Sequence, residues 1–131
     1  MTGPLLVQAE GEVAAKGDAT PIAVPSGQVV TLLDVIWNAP GPTGLAVRFR
    51  FLAPAISRAT GAVDFATASA DMLHLCQTYA LPRIAEFGPE PSQIIISMSD
   101  MAVPFGEPSP DATQFFEAYT VQDDACIWEV F

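Results

Sequence analysis

Apolar residues fall into runs of two kinds along this chain. Val29 to Trp37 (VVTLLDVIW) is apolar and rich in β-branched side chains, and Leu45 to Leu52 (LAVRFRFL) alternates apolar and polar. Both patterns fit strands. The segment Asn38-Ala-Pro-Gly-Pro-Thr-Gly44 between them is made of turn residues, so residues 29–52 read as a β-hairpin. Pairing the strands symmetrically about Gly41 puts Val29, Thr31, Leu33, Val35 and Trp37 on one face with Leu45, Val47, Phe49 and Phe51. The other face then carries Asp34 opposite Arg48, with Arg50 two residues on. A cross-strand Asp34–Arg48 pair is expected. A one-residue slip would drive the arginines into the core, so the register is strongly specified.

The pattern changes period after Ala62. Asp64 offers an N-cap, and Phe65, Ala68, Met72, Leu75, Cys76 and Tyr79 recur at helical spacing as one apolar stripe. Thr67, Asp71, His74 and Thr78 fall mainly on the wetter side. Pro82 is expected to end or kink this helix, with Arg83–Phe87 adding a turn at most and Gly88-Pro89 closing it. Gln93 to Met98 (QIIISM) reads as a short central strand. Asp100 to Pro110 holds three prolines and a glycine and is a loop. Phe115 to Val121 (FFEAYTV) reads as a strand by its aromatic and β-branched content, preceded at most by one helical turn capped at Asp111. A tight turn at 122–125 leads into a last strand, Cys126 to Phe131, with Tyr119 and Val121 sharing a face with Trp128 and Cys126.

The resulting order, β-β-α-β-β-β, implies an α+β fold: an antiparallel sheet of about five strands with one long helix packed on one face. Residues 1–24 are poor in aromatics and read as a mobile leader or signal-peptide remnant, and residues 25–131 as a single α+β domain. Leu5 to Val7 followed by Ala9 resembles the end of a signal peptide, without the basic n-region and most of the apolar h-region.

Composition narrows the function classes. With 131 residues the chain suits one domain, and such a domain buries about two thirds of its unfolded surface without help from a metal. Half the residues are apolar and 15% charged, which excludes an intrinsically disordered chain. Fifteen acids against five bases give a formal charge of −10, so phosphate backbones and anionic membranes repel the protein and no nucleic-acid partner is expected. A decoy that imitates DNA needs dense rows of carboxylates, and these acids are scattered. No apolar run approaches the ~20 residues of a membrane span.

Candidate chemistry is sparse. No dinucleotide fingerprint, phosphate-binding loop or nucleophile elbow is present, and no cofactor is implied. Cys76 and Cys126 are the only cysteines, fifty positions apart with no partner at zinc spacing, so no metal site is expected. They form a disulfide, remain two buried thiols, or leave one reactive thiol. Both sit in predicted apolar stripes, so a helix-to-sheet bridge is consistent. His74, the only histidine, has Asp71 one turn before it and could act as an oriented general base. A solvated surface histidine accounts for it more simply. Asp100, Glu107 and Asp111 flank the Pro-rich loop at spacings too irregular for a calcium loop. Arg48 and Arg50 on one strand face could hold an anionic partner group, or be consumed by cross-strand pairing. The loop Met101-Ala-Val-Pro-Phe105-Gly places apolar side chains in a surface segment. Such patches mark contact sites unless the side chains fold back into the core. Phe105 is the first choice for a partner contact, with Val103 beside it.

Three segments, VPSGQVVTLLDVIW (24–37), DMLHLCQTYALPRIAEFG (71–88) and IIISMSDMAVPFGEPSPDATQFFEAYTVQDDACIWEVF (94–131), together resemble a small alphaproteobacterial family of unknown function. The resemblance spans most of 24–131 and brings no activity with it. Members of that family often begin with a signal peptide and keep both cysteines, which implies export and hence a Cys76–Cys126 disulfide. Some members carry the label acetolactate synthase. That label does not fit here, because a thiamine-diphosphate catalytic subunit needs several large domains and its regulatory subunit a two-helix ferredoxin-like domain.

The reading that follows is a non-catalytic binding or interaction module of the bacterial periplasm, or a secreted one, for a protein or small-molecule partner. The alternatives are a small hydrolase-like enzyme using His74 with Asp71 or Glu107, and a cytoplasmic acidic decoy protein.

Overall fold

A computed structural model describes residues 12–41, 44–87 and 91–129. The signal-like stretch at 1–9, the Gly88-Pro89 stop and the side chain of Leu45 lie outside the described residues. Among the described residues, six strands form one sheet in sequence order: β1 (Glu12–Lys16), β2 (Thr31–Gly41), β3 (Gly44–Leu52), β4 (Gln93–Ser99), β5 (Gln114–Gln122) and β6 (Ala125–Trp128). One helix, α1 (Phe65–Leu75), crosses between β3 and β4. The fold is mixed α+β, with the single long helix expected from the sequence.

Two features of the sheet correct the sequence reading. First, β3 and β4 run parallel, from Ala46 beside Gln93 to Leu52 beside Ser99. A helix laid across the sheet carries the chain back to the start of the neighbouring strand, so the two strands point the same way. The other four pairings are antiparallel. Second, β1 lies within the segment read as a leader. Val13 and Ala15 of β1 pair with Ile36 and Val35 of β2, and Ala15 packs on the core. Gly17 follows because a Cβ there would meet the carbonyl oxygen of Leu32 at 1.6 Å, while its N–H donates to Leu33 O at 3.0 Å. What reads as a flexible glycine is a close crossing of two backbones.

The hairpin register also differs. Asp34 stands opposite Arg50, not Arg48, and Ile36 stands opposite Arg48. Gly41 pairs with Gly44, so the register is offset from one centred on Gly41. Register shifts occur between Ile36 and Ala39 and again between Leu32 and Asp34. The second shift leaves Leu33 as the extra residue of a β-bulge. Leu32 therefore packs on the core in place of Leu33, and Val29 is exposed while Val30 is fully buried.

The main core lies between α1 and the sheet. Val35, Val47, Phe49, Phe51, Ile94, Ile96, Met98 and Tyr119 face Ala68, Met72, Leu75 and Cys76 of the helical segment. Asp64 caps α1 as expected, accepting from the Thr67 N–H at 2.9 Å. Phe65 is an exception to the predicted stripe: it is largely exposed and meets Phe115 edge-on, ring centres 5.1 Å apart. Beyond Leu75 the helix widens into a π turn (Cys76–Ala80) and then tightens into a 3₁₀ segment (Leu81–Phe87). Pro82 has no N–H to give and its ring crowds the carbonyl four residues back, so a regular α-helix cannot run through it. Asp71, expected on the wet side, is fully buried. It accepts from the backbone N–H of Ser26 (3.0 Å), the Ser26 hydroxyl (2.5 Å) and Gln28 Nε2 (2.8 Å), so the carboxylate pins the segment before β2 onto the helix.

The sulfur atoms of Cys76 and Cys126 are 2.17 Å apart, at disulfide distance, linking the π turn to the last strand. Gln77 reinforces the junction: its Oε1 accepts from Cys126 N at 2.9 Å and its Nε2 donates to Asp124 O at 3.0 Å. Asp123 and Asp124 both take positive φ, the backbone required by the tight hairpin turn between β5 and β6.

Candidate functional site

The sheet face away from α1 carries the polar residues of the central strands. Register places them in rows. One row runs Asp34, Arg50, Ser97, Phe116 across β2 to β5, and the next runs Ile36, Arg48, Ile95, Ala118. Ala46, Ile95 and Ala118 make a small buried apolar cluster on this face. Above the first row lies the loop between β4 and β5. Its ends are stapled: Asp100 N donates to Thr113 O at 3.1 Å, and Thr113 N donates to Asp100 Oδ1 at 2.9 Å. Asp100 is thereby a structural carboxylate. Arg58 adds a clamp by donating to Ala112 O (3.1 Å) and Pro110 O (2.7 Å).

Loop and sheet enclose a pocket of about 380 Å³. Its floor includes Arg48, Arg50 and Ser97, and its wall includes Val103, Phe105 and Glu107. The four residues singled out in sequence as partner contacts, Arg48, Arg50, Val103 and Phe105, thus line one cavity. Val103 is buried, while Phe105 is partly exposed and belongs to the pocket wall rather than to the main core.

The two arginines differ in their commitments. Arg50 makes a two-pronged pair with Asp34, Nε to Oδ1 at 2.7 Å and a terminal nitrogen to Oδ2 at 2.8 Å. Its other terminal nitrogen donates to Val103 O at 3.0 Å, and Phe105 lies against its guanidinium. Its charge is balanced, and three of its hydrogen bonds tie it to β2 and to the loop. The expected Asp34–Arg48 pair is therefore replaced by Asp34–Arg50. Arg48 has no such carboxylate among the described residues. Its Nε is buried without a hydrogen-bond partner, and its guanidinium sits over the Phe116 ring with Cζ 5.5 Å from the centroid. Burial, and secondarily the positive charge of Arg50, pull the Arg48 guanidinium below its ordinary pKa.

Of the residues considered for catalysis, His74 and Glu107 are not brought together, and Asp71, one turn from His74, is committed elsewhere. His74 is on α1, against the opposite face of the sheet from the pocket that Glu107 lines. The Asp71 carboxylate is occupied by Ser26 and Gln28. Among the described residues no group of three or more His, Cys, Asp or Glu side chains could hold a metal ion.

A second, more apolar groove of about 350 Å³ lies between α1 and the β5–β6 edge, lined by Leu73, Tyr119 and half-exposed Trp128 among others. The buried Tyr119 hydroxyl has no hydrogen-bond partner there, and burial, with Glu117 nearby, raises its pKa above the ordinary value.

Sequence reasoning missed Ser97, Leu33, Gln114 and Phe116 as neighbours of the arginines. One signal was available: the hairpin offers two arginines on one face and a single acid, so one guanidinium must find something else. No helix of the described residues is long and apolar enough to cross a membrane. No curated protein and no solved structure matches the chain at a significant level. A family model does match it, over residues 5–131. The chain belongs to that family, described as a family of unknown function (DUF6497).

Proposed function

We propose that this protein is a non-catalytic binding module, exported to the periplasm or secreted, and that its pocket under the β4–β5 loop holds the anionic group of a ligand on Arg48. The observation that carries this reading is the contrast between the arginines. Arg50 is neutralised by Asp34 at 2.7 Å, whereas Arg48 keeps a buried Nε with no acceptor. A desolvated cation without a counter-charge is costly in a folded protein. A ligand anion supplies the missing partner. The pocket also has the makeup of a small-ligand site, mostly apolar walls with a few converging polar groups. Export is supported by cysteines at disulfide distance, a pairing that persists in oxidising compartments.

The test is a calorimetric screen of small anions against the wild-type protein and Arg48→Gln. Saturable binding is expected for wild type, weakened about tenfold or more in the variant, because a charge-assisted hydrogen bond is worth about 1.5–3 kcal/mol. Binding that ignores Arg48, or none from any anion, overturns this reading.

A further inference from the structure

The pocket's own charge count and surface chemistry narrow the ligand class, and this step rests on the binding reading above. We infer that the ligand is a small monocarboxylate with a single-ring or short branched apolar body, its carboxylate on Arg48 and Ser97 and its body against Phe105 and Val103.

The charge argument comes first. Asp34 balances Arg50, so the pocket floor has one uncommitted positive charge, that of Arg48. Glu107 contributes a carboxylate to the pocket lining. A second negative charge on the ligand would find no second free cation to offset it. Glu107 is exposed at the rim, where water screens its charge, so the sheltered floor keeps the one charge of Arg48 and matches a monoanion better than a dianion.

The donors point the same way. Phosphate sites commonly add converging backbone N–H groups, at helix N-termini or in nests, to their Arg and Lys side chains. This floor is made of β3 and β4, both central strands whose backbones are engaged on either side by the ladder. From the floor, what remains for a ligand is side-chain chemistry: the Arg48 guanidinium and the Ser97 hydroxyl, both in the lining. Ser97 stands opposite Arg50, two residues beyond Ile95, the direct partner of Arg48, so it is the diagonal neighbour of Arg48 on the same face. That is a donor set for two carboxylate oxygens, not for three phosphate oxygens.

The walls define the rest of the molecule. Leu33, Val103, Pro104 and Phe105 give an apolar surface beside these donors. A volume of about 380 Å³ is at the small end of ligand pockets, which suits one ring or a short branched chain.

The experiment uses the full chain with its cysteines oxidised and titrates phenylacetate, benzoate and isovalerate. Controls are phenylacetamide, acetate, succinate and inorganic phosphate. Calorimetry gives affinities, and NMR of the arginine Nε–Hε signals reports the site. At least one of the three apolar acids is expected to bind and shift the Arg48 signal. Phenylacetamide and acetate should be about tenfold weaker or worse. Arg48→Met should cost about ten- to a hundredfold, and Phe105→Ala should weaken the apolar acids while leaving acetate unchanged. If Arg48→Met fails to fold, Ser97→Ala and Phe105→Ala carry the test. Tighter, Arg48-dependent binding of succinate or phosphate overturns the ligand class but leaves a binding module. Equal affinity for the acid and its amide overturns the class as well. No Arg48-dependent binding of any probe overturns both.

Discussion

Removing the Cys76–Cys126 link by the double substitution Cys76→Ala/Cys126→Ala should lower folding stability by about 4 kcal/mol in the chain-entropy account. The two residues are separated by 50 positions, so an intact bond shortens a long loop of the unfolded chain. The native side of the balance changes less. β6 stays paired with β5 from Tyr119–Trp128 to Gln122–Ala125, and Gln77 still holds the backbone of Cys126 and Asp124. The variant is therefore expected to fold to the same structure with a lower denaturant midpoint and a somewhat larger m-value, because its unfolded chain is more expanded. Intact mass should show the wild-type protein two hydrogens lighter before reduction than after. Two freely alkylated thiols in native protein, or identical midpoints, would contradict both the bond and the export it supports.

Truncating Asp34 has an effect of similar size by a different route. Asp34→Ala should destabilise by about 3–5 kcal/mol, because it strands the Arg50 guanidinium in a buried setting. The side chains of Arg50 and Asp34 are only 10% and 7% exposed, so solvent does not rescue the orphaned charge. Loop 100–113 is expected to loosen with it, since Arg50 also donates to Val103 O. Replacing both partners by apolar residues, Asp34→Leu with Arg50→Met, should recover most of the loss. Chemical denaturation of the two single variants and the double variant gives the coupling energy directly. Additive losses, with no recovery in the double variant, would mean the pair does not act as a unit.

Legibility in the sequence followed the strength of each local signal. The helix was readable because Asp64, Ala68, Met72 and Leu75 combine a cap with a clear period, and both are present as read. β4, β5 and β6 were readable from apolar runs bounded by turn residues. The parallel β3–β4 pair was not, because strand direction depends on where α1 returns the chain and not on any residue pattern. β1 was hidden because Glu12–Lys16 is short and weakly apolar and is followed by a glycine that looks like a flexible joint. The bulge at Leu33 put Leu32 on the core in its place. The register of the hairpin on the other side of Asp34, from Gly41–Gly44 through the shift between Ile36 and Ala39, mattered more still: it gave Asp34 to Arg50 and left Arg48 without a carboxylate, which is the feature on which the candidate site turns. Asp71 illustrates a further limit: helical position alone cannot foretell that a distant segment, here Ser26–Gln28, will cover a polar residue and satisfy it.

A guanidinium kept in the pocket for a ligand should cost the free protein stability. Thermal unfolding of Arg48→Met, compared with Arg50→Met in the absence of ligand, reads that cost. Methionine keeps the apolar stem while removing the charge. If Arg48 is an unpaired cation awaiting an anion, Arg48→Met melts at or above the wild-type temperature, whereas Arg50→Met melts well below it. A fall for Arg48→Met as large as that for Arg50→Met would show that its charge is already satisfied within the fold, leaving the pocket without its anchor.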